Sequence, residues 1–188
     1  MYGFGKTPHP DHPLTIEDYA NGVLKRISDL NIEAPILVGH SFGGRIAMRI
    51  ATISSDIKGL ILLDSAGILP RRGVRYYLNV ARYKIAKCLH FKKLPQGSAD
   101  YRALSGVMKK TFVNVVNESS EADARRIRIP TLLIWGSEDR DTPLYMCRKL
   151  HRLIKWSELL VVRGAGHFAY LEYSDYHYRV IRSFRESL

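Results

Sequence analysis

The motif Gly39-His40-Ser41-Phe42-Gly43 constrains this chain more than any other stretch. Apolar residues precede it at 36–38, and an apolar-periodic segment, 45–53, follows it. This order predicts a strand, a sharp turn and a helix, with the serine at the tip of the turn. The turn strains its central residue, so we expect Gly39 and Gly43 at positions where a β-carbon would clash. The Phe42 backbone N–H would lie at a helix N-terminus, where it can meet a developing oxyanion.

The rest of the chain alternates between apolar runs and amphipathic segments. A helix is predicted from Thr15 to Leu30, capped by Thr15 with Asp18. The last helix is predicted to begin near Ser174. Buried strands that alternate with helices indicate the α/β class, with a mostly parallel sheet of about four strands and flanking helices. Besides the strand before Ser41, the predicted strands are 60–63, 131–135 and 159–162.

Positive charge is concentrated in one segment. The chain of 188 residues has 29 Lys and Arg against 18 Asp and Glu, and 14 of the basic but only 4 of the acidic residues lie within 66–128. We predict that 66–128 is a basic helical cap, with helices near 71–91 and 98–117, between core parts 1–65 and 129–188. A solvated outer surface is the simplest interpretation of the charge. A surface that attracts anionic substrate or anionic lipid is the alternative. We do not expect nucleic acid as a partner, because no recognition motif accompanies the charge.

Several function classes find no support in the sequence. No apolar run is long enough to span a membrane, and residues 1–5 do not resemble a signal peptide. Two cysteines, Cys88 and Cys147, fit thiols of a reducing compartment, so we expect a cytoplasmic protein. Residues 5–7 resemble the end of a phosphate-binding loop, but the prolines at 8 and 10 forbid the helix that it needs. The 9–12 segment, with two histidines and an aspartate, fits an exposed loop better than a metal site, and the sequence implies no cofactor and no metal.

A serine hydroxyl needs a base before it can act as a nucleophile. His167 is the best candidate among seven histidines, because it follows a predicted strand on a Gly-rich turn. That position lies at the carboxyl edge of the sheet, where ligands bind in open parallel sheets. We expect the His40 side chain to alternate away from that of Ser41, and the helical patterns around positions 90, 151 and 177 favour surface or packing roles for their histidines.

An imidazole base needs a carboxylate that fixes its tautomer and stabilises the imidazolium ion. Asp139 follows the third predicted strand at the same edge as Ser41 and His167. Its neighbours Glu138 and Asp141 could be mistaken for it, and Asp64, at the end of the second predicted strand, is the other geometric candidate. Asp139 is the predicted partner of His167.

With the order Ser, Asp, His, each after a strand, the chain resembles the α/β-hydrolases that carry a helical cap. The resemblance implies a serine hydrolase with catalytic residues Ser41, Asp139 and His167, acting on a small-molecule ester, thioester or similar acyl substrate, with carbon–carbon bond hydrolysis as a variant. A serine nucleophile argues against the related epoxide hydrolases and dehalogenases. The resemblance is carried by 2–7, by the elbow at 39–43, by the acid loop at 135–139 with Pro143, and by the histidine loop at 164–167.

One difference from the family is large. Its members normally carry four more strands before this point, and with them the loop that supplies the second oxyanion N–H. We expect a fragment of a longer protein, with completion by a second chain or a compact relative as the other interpretations. Without a neighbouring strand, residues 36–40 would form an apolar, unpaired edge through which the protein would self-associate. The alternative to an active enzyme is a truncated or inactive remnant that binds a partner through its basic cap.

Overall fold

A computed structural model describes residues 1–70, 101, 104 and 106–188 of the chain. These residues form a four-stranded sheet of order β1-β2-β3-β4 in which every neighbouring pair is parallel. This architecture confirms the predicted α/β class and the expected number of strands. The strands are β1 (Ile36–His40), β2 (Gly59–Leu63), β3 (Thr131–Gly136) and β4 (Ser157–Val162), and the helices are α1 (Ile16–Asp29), α2 (Phe42–Ile53), α3 (Gly106–Asn117), α4 (Glu121–Arg126), α5 (Leu144–Leu153), α6 (Ala169–Glu172) and α7 (Ser174–Glu186).

Part of the predicted cap lies outside the described residues. The helix predicted near 71–91 falls there entirely, with Cys88 and His90. Of the helix predicted near 98–117, residues 106–117 form α3 and residue 101 is also helical, but residue 104 is not, so the predicted helix is interrupted. The helix α4 follows before the chain returns to the sheet at β3. The division into 1–65, 66–128 and 129–188 stays a prediction.

Helices cover both faces of the sheet because its two central strands are apolar on both sides. Every residue of β2 and β3 is buried. Leu62 and Trp135 face α2 and α5, whereas Ile61 and Ile134 face α6 and α7. Continuous apolar runs therefore produce strands buried on both faces, as the sequence predicts.

The helix boundaries follow local signals closely. Thr15 caps α1: its hydroxyl accepts from the Asp18 N–H at 3.2 Å, and the Asp18 carboxylate accepts from the Thr15 N–H at 2.8 Å. This reciprocal pair is the predicted capping box. The last helix begins at Ser174, as expected, but the short α6 before it was not predicted. Among the described helices, none combines the length and apolar character that crossing a bilayer requires.

Strand β1 lies at an edge of the sheet. The Ser41 N–H donates to the Leu63 carbonyl of β2 at 3.2 Å. Because the backbone polar groups of successive strand residues point to opposite sides, the N–H and C=O groups of Ile36, Val38 and His40 face away from β2, towards the open side of the sheet. The Val38 side chain is 55% exposed. Within the described residues, this edge has no strand beside it.

Candidate active site

Ser41 occupies the tight turn between β1 and α2. Its backbone has φ 49° and ψ −117°, a conformation that non-glycine residues rarely adopt. Three hydrogen bonds hold it: its N–H donates to the Leu63 carbonyl at 3.2 Å, and its own carbonyl accepts from the N–H groups of Gly44 at 3.1 Å and Ala66 at 2.9 Å. The neighbouring strand therefore enforces the strained conformation, which raises the serine hydroxyl above the end of the sheet.

The glycines of the turn differ in how much space they leave for an added β-carbon. A β-carbon on Gly39 would lie 2.7 Å from the Gly43 oxygen and the Gly44 Cα, so the expected clash there is confirmed. The same expectation is wrong for Gly43, where an added β-carbon would meet no atom within 4 Å. The crowded position is Gly44, whose β-carbon would lie 2.5 Å from that of Ser65. The reason is that α2 presses against the end of β2 at Gly44, while Gly43 faces open space.

Aromatic side chains connect the N-terminal loop to this turn. The Phe4 ring stacks on Phe42 with centroids 5.8 Å apart, and Tyr19 of α1 meets Phe42 edge-on at 5.3 Å. Phe42 is the first residue of α2. The ring contacts fix the side chain of the residue whose N–H was predicted to meet the oxyanion.

His167 brings the second predicted group to the serine. It follows β4 and the turn at Gly164, and its Nε2 lies 3.0 Å from the Ser41 Oγ. Its Nδ1 lies 2.9 Å from Oδ2 of Asp139. The side chain of His167 is 12% exposed and that of Asp139 is fully buried. The three predicted side chains therefore lie in one hydrogen-bonded series, and their role in catalysis stays a prediction.

Asp139 is held as an ion by a dense set of donors. Its Oδ1 accepts from the N–H groups of Asp141 at 2.8 Å and Thr142 at 2.9 Å, and its Oδ2 lies 2.6 Å from the Thr142 hydroxyl. Burial by itself would raise the pKa of Asp139, but hydrogen bonds from His167 and Thr142 outweigh it and hold the pKa below the usual value. Thr142 comes shortly before the next helix but does not cap it, because the N-cap is Pro143. Instead, α5 begins after Pro143 and the Thr142 side chain binds Asp139.

Among the described residues, no hydrogen bond joins the other three carboxyl candidates to His167. Glu138 and Asp141 are exposed. Asp64 is fully buried at the end of β2, where its Oδ1 accepts from the Gly136 N–H at 2.8 Å. The structure therefore selects Asp139 from the four carboxyl groups as the partner of the imidazole.

His40 lies against the site although sequence reasoning left it out. Its Nε2 is 2.8 Å from the His167 carbonyl oxygen, and the two rings are 4.8 Å apart. Burial lowers the pKa of His40, although the His167 carbonyl opposes this shift. A carbonyl only accepts, so the neutral ring donates its Nε2 proton and anchors the backbone of His167. The signal that could have identified it is its position, because the last residue of an edge strand points towards the loops at the sheet end.

One set of side chains has the spacing of metal ligands. Ligand atoms of Asp139, Asp141 and His167 lie within 4.8 Å of one another. Both Asp139 oxygens are already occupied by hydrogen-bond donors, and the His167 Nδ1 faces one of them. Their geometry fits a hydrogen-bonded acid–base pair better than a cation site.

Comparisons with known proteins agree with this fold. A model described as "Alpha/beta hydrolase family" matches residues 1–177. The AB hydrolase superfamily protein YisY of Bacillus subtilis is 28% identical, over 100% of this chain and 80% of its own length. The 2-hydroxy-6-oxo-2,4-heptadienoate hydrolase of Pseudomonas putida is 24% identical, over 97% of this chain and 74% of its own length. Among solved structures, a serine hydrolase involved in carbazole degradation (CarC enzyme) has a TM-score of 0.76 at 24% identity, covering 100% of this chain and 78% of that one.

Proposed function

The chain belongs to the alpha/beta hydrolase family, and from this premise we propose that it is a serine hydrolase that cleaves an ester or related acyl bond with Ser41, His167 and Asp139. The resemblance inferred from the motifs is confirmed, and the named relatives support a hydrolase. The observation that carries the proposal is the pair of contacts at His167, 3.0 Å to the Ser41 hydroxyl and 2.9 Å to the Asp139 carboxylate.

The hydrogen bonds assign the protons. Because an ionised Asp139 only accepts, the His167 Nδ1 carries the hydrogen and Nε2 is left with a lone pair towards Ser41. His167 removes the serine proton as Oγ attacks the substrate carbonyl, and Asp139 stabilises the imidazolium ion that forms. The imidazolium then protonates the leaving group, and water releases the acyl-enzyme by the same path. General-base assistance of this kind contributes about 10²–10⁴ in rate.

The oxyanion is assigned to the N–H of Phe42. This residue begins α2, so its N–H has no acceptor within the helix and lies at the positive end of the helix dipole. It is also the residue directly after the nucleophile, where the developing negative charge is closest. One such donor is worth about 10²–10³ in rate.

The substrate class follows from the chemistry of the three groups. Esters and thioesters suit them because an alcohol departs readily once His167 protonates it, and a thiolate departs readily even without a proton. Hydrolysis of a carbon–carbon bond beside a ketone uses the same attack and the same oxyanion; the departing carbanion must be stabilised by the substrate itself, and the His167 imidazolium protonates it. The relative named 2-hydroxy-6-oxo-2,4-heptadienoate hydrolase makes that variant worth testing.

A fluorophosphonate probe tests the nucleophile directly. We expect it to label the wild-type protein on Ser41, and Ser41→Ala to abolish labelling. Ser137→Ala is the matched control, because this serine also lies on a loop at the sheet edge, where its hydroxyl accepts from the Gly164 N–H at 2.9 Å, and the control protein should still be labelled. A folded wild-type protein that resists labelling, and that cleaves neither p-nitrophenyl acetate nor 2-hydroxy-6-oxo-2,4-heptadienoate, would refute the proposal.

A further inference from the structure

Asp64 is a buried acidic group that the proposed reaction does not use. It follows β2, with φ 42°, and none of its surface is exposed. Its Oδ1 accepts a hydrogen bond from the Gly136 N–H at 2.8 Å, but its Oδ2 has no hydrogen-bond partner among the described residues. A buried carboxylate oxygen without a donor is costly, whereas a protonated one carries its own hydrogen.

The groups around Asp64 explain where that hydrogen belongs. The Thr142 hydroxyl lies 3.0 Å from the Asp64 carbonyl oxygen and 2.6 Å from Oδ2 of Asp139, on the loop after β3, so the two acidic residues are neighbours. The charges of Asp139 and of His167, after β4, both act on the Asp64 carboxyl. On the helix side, the thiol of Cys147 in α5 is the titratable group that interacts with Asp64. These are the titratable groups that face Asp64 in the described part of the chain.

The two carboxyl groups differ sharply in the donors that they receive. Asp139 accepts from two N–H groups, a hydroxyl and the His167 ring, whereas Asp64 accepts from the Gly136 N–H alone. Two adjacent buried carboxyls do not both ionise readily, so the pair retains one proton. The charge therefore resides on Asp139 and the proton on Asp64.

We propose that Asp64 is a positioning residue, a neutral carboxylic acid behind Asp139 whose ionisation changes the charge that His167 experiences. Its role in catalysis rests on the proposed function, but the location of the proton does not. When Asp64 is neutral, His167 faces the single charge of Asp139. When Asp64 loses its proton to solvent, a second negative charge favours the imidazolium form of His167.

The ionisation of Asp64 falls in the neutral pH range. Burial, assisted by the charge of Asp139, raises the pKa of Asp64 to about 7, although the hydrogen bond from Gly136 opposes the shift. Because His167 must be neutral to accept the serine proton, ionised Asp64 would move the acid limb of the kcat/KM profile to higher pH. Removing that ionisation by substitution should move the limb to lower pH by about half a unit or more, the scale of a charge pair across several ångströms of protein.

Two substitutions distinguish the effect of the Asp64 proton from the effect of the side chain's shape and hydrogen bonds. Asp64→Asn keeps an acceptor for the Gly136 N–H and offers N–H groups towards Asp139, but it cannot ionise. Asp64→Ala removes both interactions. We expect Asp64→Ala to lower kcat about tenfold or more, and Asp64→Asn to restore most of that loss while shifting the acid limb downward.

Infrared spectroscopy detects whether the Asp64 carboxyl is protonated, and the measurement needs no substrate. The wild-type protein at pH 6 should show the carbonyl band of a buried carboxylic acid that fades by pH 9 and is missing in Asp64→Asn, whereas the exposed-site control Asp56→Asn should retain the band. Absence of the band in the wild type would overturn the proposal, and an acid limb that stays in place in Asp64→Asn would overturn the coupling to His167. If the band is present but Ser41 resists the fluorophosphonate, the proposed hydrolase function fails and the protonated Asp64 stands.

Discussion

A single methyl group added at Gly44 should damage the turn that carries Ser41, whereas the same methyl group at Gly43 should be tolerated. The new β-carbon at Gly44 would lie 2.5 Å from the Ser65 β-carbon and 3.3 Å from its Cα. Carbon atoms in good contact are about 3.5–4.0 Å apart, so the first contact overlaps by about 1 Å. Ser65 cannot relieve this by changing rotamer, because a β-carbon moves only with its backbone.

The expected energies follow from the crowding. Overpacking a core by one methylene costs about 1–3 kcal/mol, and an overlap between two backbone-fixed carbons belongs at the upper end of that range. The better helix propensity of alanine returns at most about 1 kcal/mol at either position. We therefore expect Gly44→Ala to lower the free energy of unfolding by about 2 kcal/mol and Gly43→Ala to change it by less than about 1 kcal/mol.

Urea unfolding is the appropriate assay, with the fluorescence of the buried Trp135 as a probe of the core. The Gly44→Ala protein should also react more slowly with a fluorophosphonate, because Ser65 is followed by Ala66, whose N–H holds the Ser41 carbonyl at 2.9 Å. Adding Ser65→Gly removes the obstructing β-carbon and should recover much of the lost stability. Equal stabilities of Gly43→Ala and Gly44→Ala would refute the packing argument.

Three further predictions concern charge and the sheet edge. The raised pKa of Asp64, about 7, means that the folded state binds this proton more tightly than the unfolded state, so this group's contribution to stability falls as pH rises from about 4 to 7. The free energy of unfolding of Asp64→Asn, relative to that of the wild type, should therefore rise by about 2.5 kcal/mol between pH 5 and 8 in urea titrations. A difference in unfolding free energy that stays constant with pH would contradict the raised pKa. Asp139→Asn should lower kcat for an activated ester by about 10³–10⁴-fold, because the amide no longer fixes the His167 tautomer. A loss in kcat below tenfold would exclude Asp139 as the group that fixes this tautomer. Val38 is 55% exposed on the β1 edge, and we expect it to mediate self-association. Val38→Lys should therefore lower the molecular mass measured by light scattering. A wild-type protein that is already monomeric would contradict this prediction.

Much of the fold could be predicted because local patterns determine it. Each strand contains a continuous apolar run, and the loops that carry Ser41, Asp139 and His167 each follow such a run. The turn at Ser41, the loop of Asp139 and the loop of His167 could therefore be assigned to one sheet edge from spacing alone. The short α6 escaped prediction because it is a single turn with few residues to establish a period.

The sequence predicts Asp139 as the partner of His167, but strand position alone gives no physical reason to prefer it to Asp64. Both carboxyls follow parallel strands at the same edge. What distinguishes them is the turn after Asp139, which supplies N–H groups and the Thr142 hydroxyl to its carboxylate, whereas Asp64 receives one N–H. Donor counts of this kind depend on how a loop closes on itself, and no periodicity in the sequence reports it.

The crowding at Gly44 and the contacts of the residues after β2 likewise depend on how the chain closes on itself, which local sequence patterns do not show. The 63–66 segment holds the Ser41 turn through the carbonyl of Leu63 and the N–H of Ala66, and the Ser65 side chain limits the space at Gly44. Within the same four residues, the Asp64 carboxyl holds the N–H of Gly136, where the acid loop begins. One short segment therefore fixes the serine turn and the acid loop relative to each other. Substitutions there should alter the geometry at Ser41 and at Asp139 together, even though the segment supplies none of the groups proposed to react.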